Sequence, residues 1–201
     1  DDAYVLQNKI YDLMSTFNKV KWKSAEDLNY NFRVPIVETK DWAVLSNFFG
    51  LNQDIDITME KFFTNSRLKN ILASCIGNDY KLWSGSIRLT KSKDNGLGFH
   101  TDSKGEMGIS ILLSNTQNSD ATTSFIKGSH KWPIQNDESG ISSIPRKLLQ
   151  PFSTPATGKI GDVYIFFKKT YHGRMPHRTD KEGLCILLAP IASGYTFHRY
   201  N

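Results

Sequence analysis

Gly98-Phe99-His100-Thr101-Asp102 carries an imidazole and a carboxylate two residues apart. In an extended chain, side chains at i and i+2 leave the backbone on the same face. One nitrogen and one oxygen can therefore converge on a single ion. A second imidazole, His172 in Thr170-Tyr171-His172-Gly173-Arg174, would complete a set of two His and one carboxylate. Such a set occupies one face of an ion and leaves the other positions open, the arrangement of non-haem Fe(II) sites. Chance often produces an isolated His-x-Asp, so the weight of the reading comes from the surrounding pattern.

That pattern is one of strands. From Tyr80 onward apolar and polar residues alternate: Leu82, Ser84, Ser86, Arg88 and Thr90 on one face, Trp83, Gly85, Ile87 and Leu89 on the other. A turn-rich loop with Asn95-Gly96 follows. Strands are then expected at Met107 to Leu113, Ser124 to Ile126, Val163 to Phe167 and Leu184 to Pro190, with a last extended piece over 193–200. Lys159-Ile160-Gly161-Asp162 reads as a hairpin turn. Residues 131–157, with Pro133, Pro145, Pro151 and Pro155, read as a long loop, of the length usually given to a lid or a binding wall.

Ahead of the strands the spacing predicts helices. Tyr4, Val5, Ile10, Leu13, Met14 and Phe17 recur at helical intervals. Residues 18–40 read as a loop with one or two short strands. Asp41 to Phe49 reads as a short helix stopped by Gly50. Thr58 is the expected cap of the next segment. Ser66 to Ile76 is a firmer helix, with Leu68, Ile71, Leu72 and Cys75 as its apolar stripe and Gly77 as its stop. Helices first and many short strands afterwards argue for an antiparallel β-sandwich or open barrel with N-terminal helices packed on it.

The chain has 201 residues, 39% of them hydrophobic and 22% charged, which suits one soluble domain with a sizeable core. The division expected is a mainly helical part over 1–79 and a β core over 80–201. The net charge of +5 is scattered, so no basic run reaches the density of a nucleic-acid tail. A mildly basic surface can favour an anionic small molecule such as a phosphorylated sugar or a carboxylate; it is equally an ordinary solvated surface with excess Lys. Cys75 and Cys185 both read as buried small hydrophobes. With no disulfide framework, no apolar run long enough to span a membrane and no signal peptide, a cytoplasmic, reducing location is expected. The chain begins at Asp1 rather than Met, which fits a domain cut from something longer.

From about residue 58 to residue 190 the sequence resembles the phytanoyl-CoA dioxygenase family of Fe(II)/2-oxoglutarate oxygenases. The residues that carry the likeness are Phe63-Thr64-Asn65-Ser66-Arg67-Leu68 up to Ile76-Gly77, the segment Gly98 to Asp102, the turn Phe125-Ile126-Lys127-Gly128-Ser129-His130, and Gly161-Asp162-Val163-Tyr164-Ile165-Phe166 through His172-Gly173. The resemblance implies a double-stranded β-helix, or cupin-like jelly roll. It implies His100, Asp102 and His172 as ligands of Fe(II), with 2-oxoglutarate and O2 as cosubstrates, and a hydroxylase acting on a small molecule, a glycan or a lipid-linked substrate. Asp102 sets the chain apart from related halogenases, which lack the carboxylate. The family's cosubstrate-binding arginine normally lies eleven residues after the distal histidine, a position held here by Gly183. Arg174 is the expected replacement, because a guanidinium grips a carboxylate through two bonds. Arg88 is the second candidate and Arg178 a third nearby cation.

Of the other histidines, His130 is expected to hydrogen-bond within its turn, His177 to face solvent or substrate, and His198 to lie at the surface. The segment from Trp22 to Trp42 and loop 131–157 are the expected walls of the substrate site. Two alternatives stand beside the hydroxylase: a non-catalytic jelly-roll module with a vestigial metal site, and an iron enzyme that does not use 2-oxoglutarate.

Overall fold

The structure is a computed structural model that describes residues 2–16, 19–21, 36–38, 42–102, 106–118, 120–133, 142 and 144–192. In chain order its elements are α1 (Asp2–Thr16), β1 (Lys19–Lys21), β2 (Ile36–Glu38), β3 (Trp42–Ser46), α2 (Gln53–Thr64), α3 (Ser66–Ile76), β4 (Lys81–Thr90), β5 (Leu97–His100), β6 (Met107–Leu112) and β7 (Thr123–Ile126). Then come α4 (Arg146–Leu149), β8 (Ser153–Pro155), β9 (Val163–Phe167), β10 (His172–Arg174) and β11 (Gly183–Ile191). Seven strands form one sheet in the order β1-β2-β3-β4-β11-β6-β9, and four form a second in the order β5-β10-β7-β8. Only β1 and β2 run parallel. The two sheets make a double-stranded β-helix of mainly antiparallel strands, as the sequence led one to expect.

The alternation in β4 decides what each face of the large sheet does. Ile87 pairs with Leu45 and Ile186, and Ile186 with Ile111. These side chains share a core with Leu6, Ile10 and Leu13 of α1, Ile55 and Met59 of α2, and Leu68 and Leu72 of α3. The helices thus cover one face of the sheet. Ser84, Ser86, Arg88 and Thr90 point the other way and line a cavity. A smaller cluster of Phe99, Ile126, Leu149, Tyr171 and Met175 fills the back of the small sheet, under α4.

Several local expectations need correction. Trp42 to Ser46 is a strand, not part of a helix: its iBiBe burial has period two, and β4 pairs with it residue for residue. The next helix starts at Gln53, and Asn52, not Thr58, caps it by accepting from the N–H groups of Asp54 and Ile55. Thr58 instead donates to the Asp54 carbonyl inside that helix. α3 has the expected bounds, but Cys75 is exposed and Ile71 is 37% exposed, so its buried stripe is Leu68 and Leu72. Cys185 is half-buried. Residues 159–162 form a tight turn, closed by Asp162 N–H donating to the Lys159 carbonyl. It is not a hairpin, because β8 lies in the small sheet and β9 in the large one. The described part of 131–157 is not structureless: it holds α4, β8 and a single 3₁₀ turn over Gln150–Phe152. Residues 134–141, 143 and 193–201, and most of the Trp22 to Trp42 segment, lie outside the described residues, as does His198.

The Gly128-Ser129-His130 turn owes its hydrogen bonds to Ser129 rather than His130. The buried Ser129 hydroxyl donates to the Ile126 carbonyl and accepts from the Tyr171 N–H, so it ties the end of β7 to the residue before His172. His130 packs its ring 5.8 Å from Phe167. Ser129→Ala strips an acceptor from a buried N–H, which typically costs about 1–3 kcal/mol. Denaturant unfolding is expected to show a lower midpoint with an unchanged slope.

Candidate metal and anion site

β5 and β10 are neighbours in the small sheet, and their register sets His172 opposite His100. The two rings lie 4.3 Å apart, centroid to centroid. Each is oriented in the same way. His100 Nδ1 lies 2.9 Å from the Gly98 carbonyl and His172 Nδ1 lies 2.8 Å from the Thr170 carbonyl. A carbonyl can only accept, so both Nδ1 atoms carry the proton and both Nε2 atoms present a lone pair. Asp102 joins them: Oδ1 lies 3.9 Å from His100 Nε2, and Oδ2 lies 3.5 Å from His172 Nε2. One potential ligand atom from each of the three lies within 4.8 Å of the others. Three electron-pair donors facing one another repel unless a cation sits among them. The donor set, two imidazoles and a carboxylate with the other side open to a cavity, fits a divalent transition metal.

The electrostatics suit that task. Burial, and then the neighbouring His172, hold the His100 pKa below the ordinary histidine value, which keeps its lone pair available at neutral pH. Burial works against the Asp102 carboxylate, but the Lys168 ammonium beside it favours the charged form, and the carboxyl is held below the usual range. Phe166 packs beside His172 with ring centroids 5.1 Å apart. Gly108, paired with Phe166 across β6 and β9, leaves room for that ring: a Cβ at Gly108 would lie 2.2 Å from it.

A second constellation lies in the same cavity, whose volume is about 290 Å³. Arg174 is two residues past His172 on β10, and Arg88 comes from β4 on the facing sheet. Both reach Asp94, which is 3% exposed. Arg174 Nη2 lies 2.9 Å from Oδ2 and 3.0 Å from Oδ1, and Arg88 Nη2 lies 3.3 Å from Oδ2. Gly96 N–H donates to Asp94 Oδ1, and Gly96 sits at φ 77, which favours glycine. The Trp42 ring covers Arg88, 5.0 Å from its guanidinium carbon. Burial, and then the charge of Arg174, bring the Arg88 pKa down to about 10. Burial also opposes the Asp94 carboxylate, but the two guanidiniums and the Gly96 N–H outweigh it and lower its pKa. Two cations share one carboxylate, and the Nε–H groups of both arginines are buried without a hydrogen-bond partner. Such a pair of guanidiniums has donors left for an entering anion.

The structure thus gathers His100, Asp102, His172, Arg174 and Arg88. It leaves out Arg178, which is exposed and off the cavity wall. His177 is buried, contrary to expectation. Its Nδ1 accepts from the Ala121 N–H and its Nε2 faces the Lys181 carbonyl at 2.5 Å, so it staples two loops together. The sequence reading missed Asp94, Lys168 and Glu106. Asp94 sits in a turn-forming Asp-Asn-Gly run that reads as solvent-facing, and nothing local to it shows that two arginines close over it.

No family model matches the chain, and no curated protein matches it. Solved structures do. EvdMO1 is 17% identical with a TM-score of 0.69, over 96% of this chain and 45% of that one. The epimerase SnoN, in complex with Fe3+, alpha-ketoglutarate and nogalamycin RO, is 14% identical with a TM-score of 0.69, over 95% of this chain and 74% of that one. HygX from Streptomyces hygroscopicus, with nickel, 2-oxoglutarate and hygromycin B bound, is 12% identical with a TM-score of 0.66, over 97% of this chain and 81% of that one. The chain spans less than half the length of EvdMO1. At these identities the likeness is one of fold.

Removing one partner from a buried ion pair typically costs about 3–5 kcal/mol, because the other charge stays buried. Asp94→Asn is therefore expected to lower stability substantially at neutral pH. The folded pKa of Asp94 lies below its unfolded value, about 3.9. Its contribution is complete above about pH 4 and is lost as pH falls through the folded pKa. Urea unfolding of both proteins across pH should show a gap that is widest near neutrality and closes in acid.

Proposed function

We propose that this protein is a non-haem Fe(II)- and 2-oxoglutarate-dependent oxygenase acting on a small, hydroxyl-rich molecule. The observation that carries the reading is the convergence of two Nε2 lone pairs and one carboxylate on the wall of a cavity that also holds two incompletely paired guanidiniums. His100, Asp102 and His172 hold the metal. Arg174, with Arg88 beside it, binds the distal carboxylate of 2-oxoglutarate in place of the arginine that Gly183 lacks. A Cβ built at Gly183 would meet nothing closer than Thr90, at 3.8 Å, so the position leaves space for the cosubstrate. The metal-bound and 2-oxoglutarate-bound states of HygX and SnoN support this reading.

When bound, iron and 2-oxoglutarate together supply O2 activation coupled to oxidative decarboxylation. The chain's own residues do the rest. The Gly98 and Thr170 carbonyls fix the imidazole tautomers. Phe166 gives the cavity an apolar wall, and the Phe125 ring packs 4.7 Å from it. Ser84, Ser86, Ser110 and Thr123 put hydroxyls along the cavity, groups suited to a glycan or another polyol. Hydroxylation is the reaction proposed; the epimerase among the structural neighbours makes a related C–H oxidation the second outcome to look for in products. Among the described residues no helix is long and apolar enough to cross a membrane.

Anaerobic titration with Fe(II) and 2-oxoglutarate is expected to develop the weak visible band of a chelated keto acid. His100→Ala, Asp102→Ala and His172→Ala should abolish it by loss of metal. Arg174→Ala should keep iron but weaken 2-oxoglutarate by about 2–5 kcal/mol, roughly thirty- to several-thousand-fold. Arg178→Ala should match the parent. If Arg88→Ala weakens binding and Arg174→Ala does not, the cation comes from β4 and the assignment of Arg174 fails. If iron binds and neither arginine matters, the protein is an iron enzyme or binding module without 2-oxoglutarate.

A further inference from the structure

Among the described residues, Lys168 is the one cation that touches the candidate metal triad. It follows β9, lines the cavity, and puts its ammonium 3.4 Å from Asp102 Oδ2. On its other side the ammonium lies 2.8 Å from Glu106 Oε2. Glu106 is 2% exposed, and its second oxygen has no partner. A buried carboxylate in that state depends on its single ion pair. Glu106 therefore anchors the ammonium, which cannot swing into solvent without stranding a charge. The backbone holds the same three residues together: Asp102 N–H donates to the Lys168 carbonyl at 2.9 Å, and Lys168 N–H donates to the Glu106 carbonyl at 3.1 Å.

We infer that Lys168 is a positioning residue that leaves Asp102 one metal-binding oxygen, Oδ1, by competing from an ion pair anchored on Glu106 for Oδ2, the oxygen that lies 3.5 Å from His172 Nε2. The inference rests on the triad being the metal site. An ionised carboxylate has two oxygens and can offer either or both. Two imidazoles and one oxygen leave three positions of an octahedral ion open, enough for a chelating keto acid and O2. A second oxygen from Asp102 would close one of them. An ammonium fixed beside the carboxylate competes for that oxygen, and it also lowers the electron donation of the whole group. Lys168 thereby trades some metal affinity for an open position. A merely structural Lys168 would have no such opposed effects.

The test uses the full chain and Co(II), whose visible spectrum reports coordination number, with 2-oxoglutarate added to the Co(II)-loaded protein. Lys168→Met keeps length and removes charge. It is expected to hold Co(II) as tightly as the parent or more tightly, to shift the Co(II) spectrum, and to weaken 2-oxoglutarate by about 10- to 100-fold, the range for losing a group that orients a metal ligand. Lys168→Arg should restore the parental spectrum. Because Lys168→Met strands Glu106, the pair Glu106→Gln with Lys168→Met removes both charges and should give the same spectrum and the same loss. Parental 2-oxoglutarate affinity in both variants overturns the inference, as does a parallel loss of Co(II) and 2-oxoglutarate. If the unmutated protein takes up no Co(II), the triad reading falls and this inference falls with it. Failure in the variants alone leaves the triad standing.

Discussion

The antiparallel pairing of β5 with β10 is the constraint on which the site depends. It sets His172 opposite His100, and a slip of one residue would turn every side chain of one strand to the far face of the small sheet. Strands of four and three residues have few hydrogen bonds with which to hold that register. The surroundings hold it instead. Gly173 lets the strands approach closely: a Cβ there would lie 3.0 Å from the carbonyls of both Leu97 and Gly98. On the other side, β7 pairs with β10 over all three residues. Ser129 clamps Tyr171, and Phe99 and Tyr171 are sunk in the apolar cluster behind the sheet. The histidines face the cavity because their neighbours in sequence are needed in that core.

The large sheet makes the matching contribution from across the cavity. Its helix-facing side is apolar and continuous, so the cavity-facing side of the same strands is free to carry Ser, Thr and Arg. Arg88 illustrates this. Its neighbour Ile87 is fully buried against the helices, and the pleat then obliges Arg88 to point at the site. Burying a guanidinium there is tolerable because Asp94 meets it and Trp42 covers it.

Period-two alternation is the signal that sequence carries best, and the parts of the fold written in it were legible. The two faces of β4 and the His100 and Asp102 pair follow from it, whereas the strands at 107–112, 163–167 and 183–191 read as short apolar runs bounded by turn residues. Trp42 to Ser46 was misread because Trp-Ala-Val-Leu-Ser is short, has no strong turn signal in front, and is followed by Gly50, which looks like a helix stop. Its strand character comes from pairing with β4, a non-local fact. The site divided in the same way. The three candidate ligands could be named because His100 and Asp102 stand two residues apart and His172 lies in a stretch that carries the family resemblance. The Asp94 and Glu106 ion pairs could not, because Arg174 and Lys168 lie far from these carboxylates in sequence, and the worth of every pair, the local one with Arg88 included, depends on burial that no local pattern records. His177 shows the converse: a histidine beside Pro176 reads as exposed, yet its two ring nitrogens are used to bind backbone groups of two loops.

Charge balance ties these parts together. Three cations, Arg88, Arg174 and Lys168, meet three carboxylates, Asp94, Asp102 and Glu106, in and around one cavity between the sheets, while a fourth carboxylate on its wall, Asp120, is met by the Gln117 N–H and the Thr179 hydroxyl. The balanced set is tolerable in a water-poor space, whereas an isolated buried charge is not. A divalent metal at the triad adds two positive charges, and a dicarboxylate at the arginines adds two negative ones. Either alone unbalances the cavity; together they restore it. The carboxylates divide the labour: Asp94 keeps two guanidiniums from repelling each other but leaves their Nε–H groups open, Glu106 holds an ammonium, and Asp102 alone faces the imidazoles. On the proposed reading, a metal and an anion would each improve the site for the other through the cavity's own electrostatics, with no movement of the fold required.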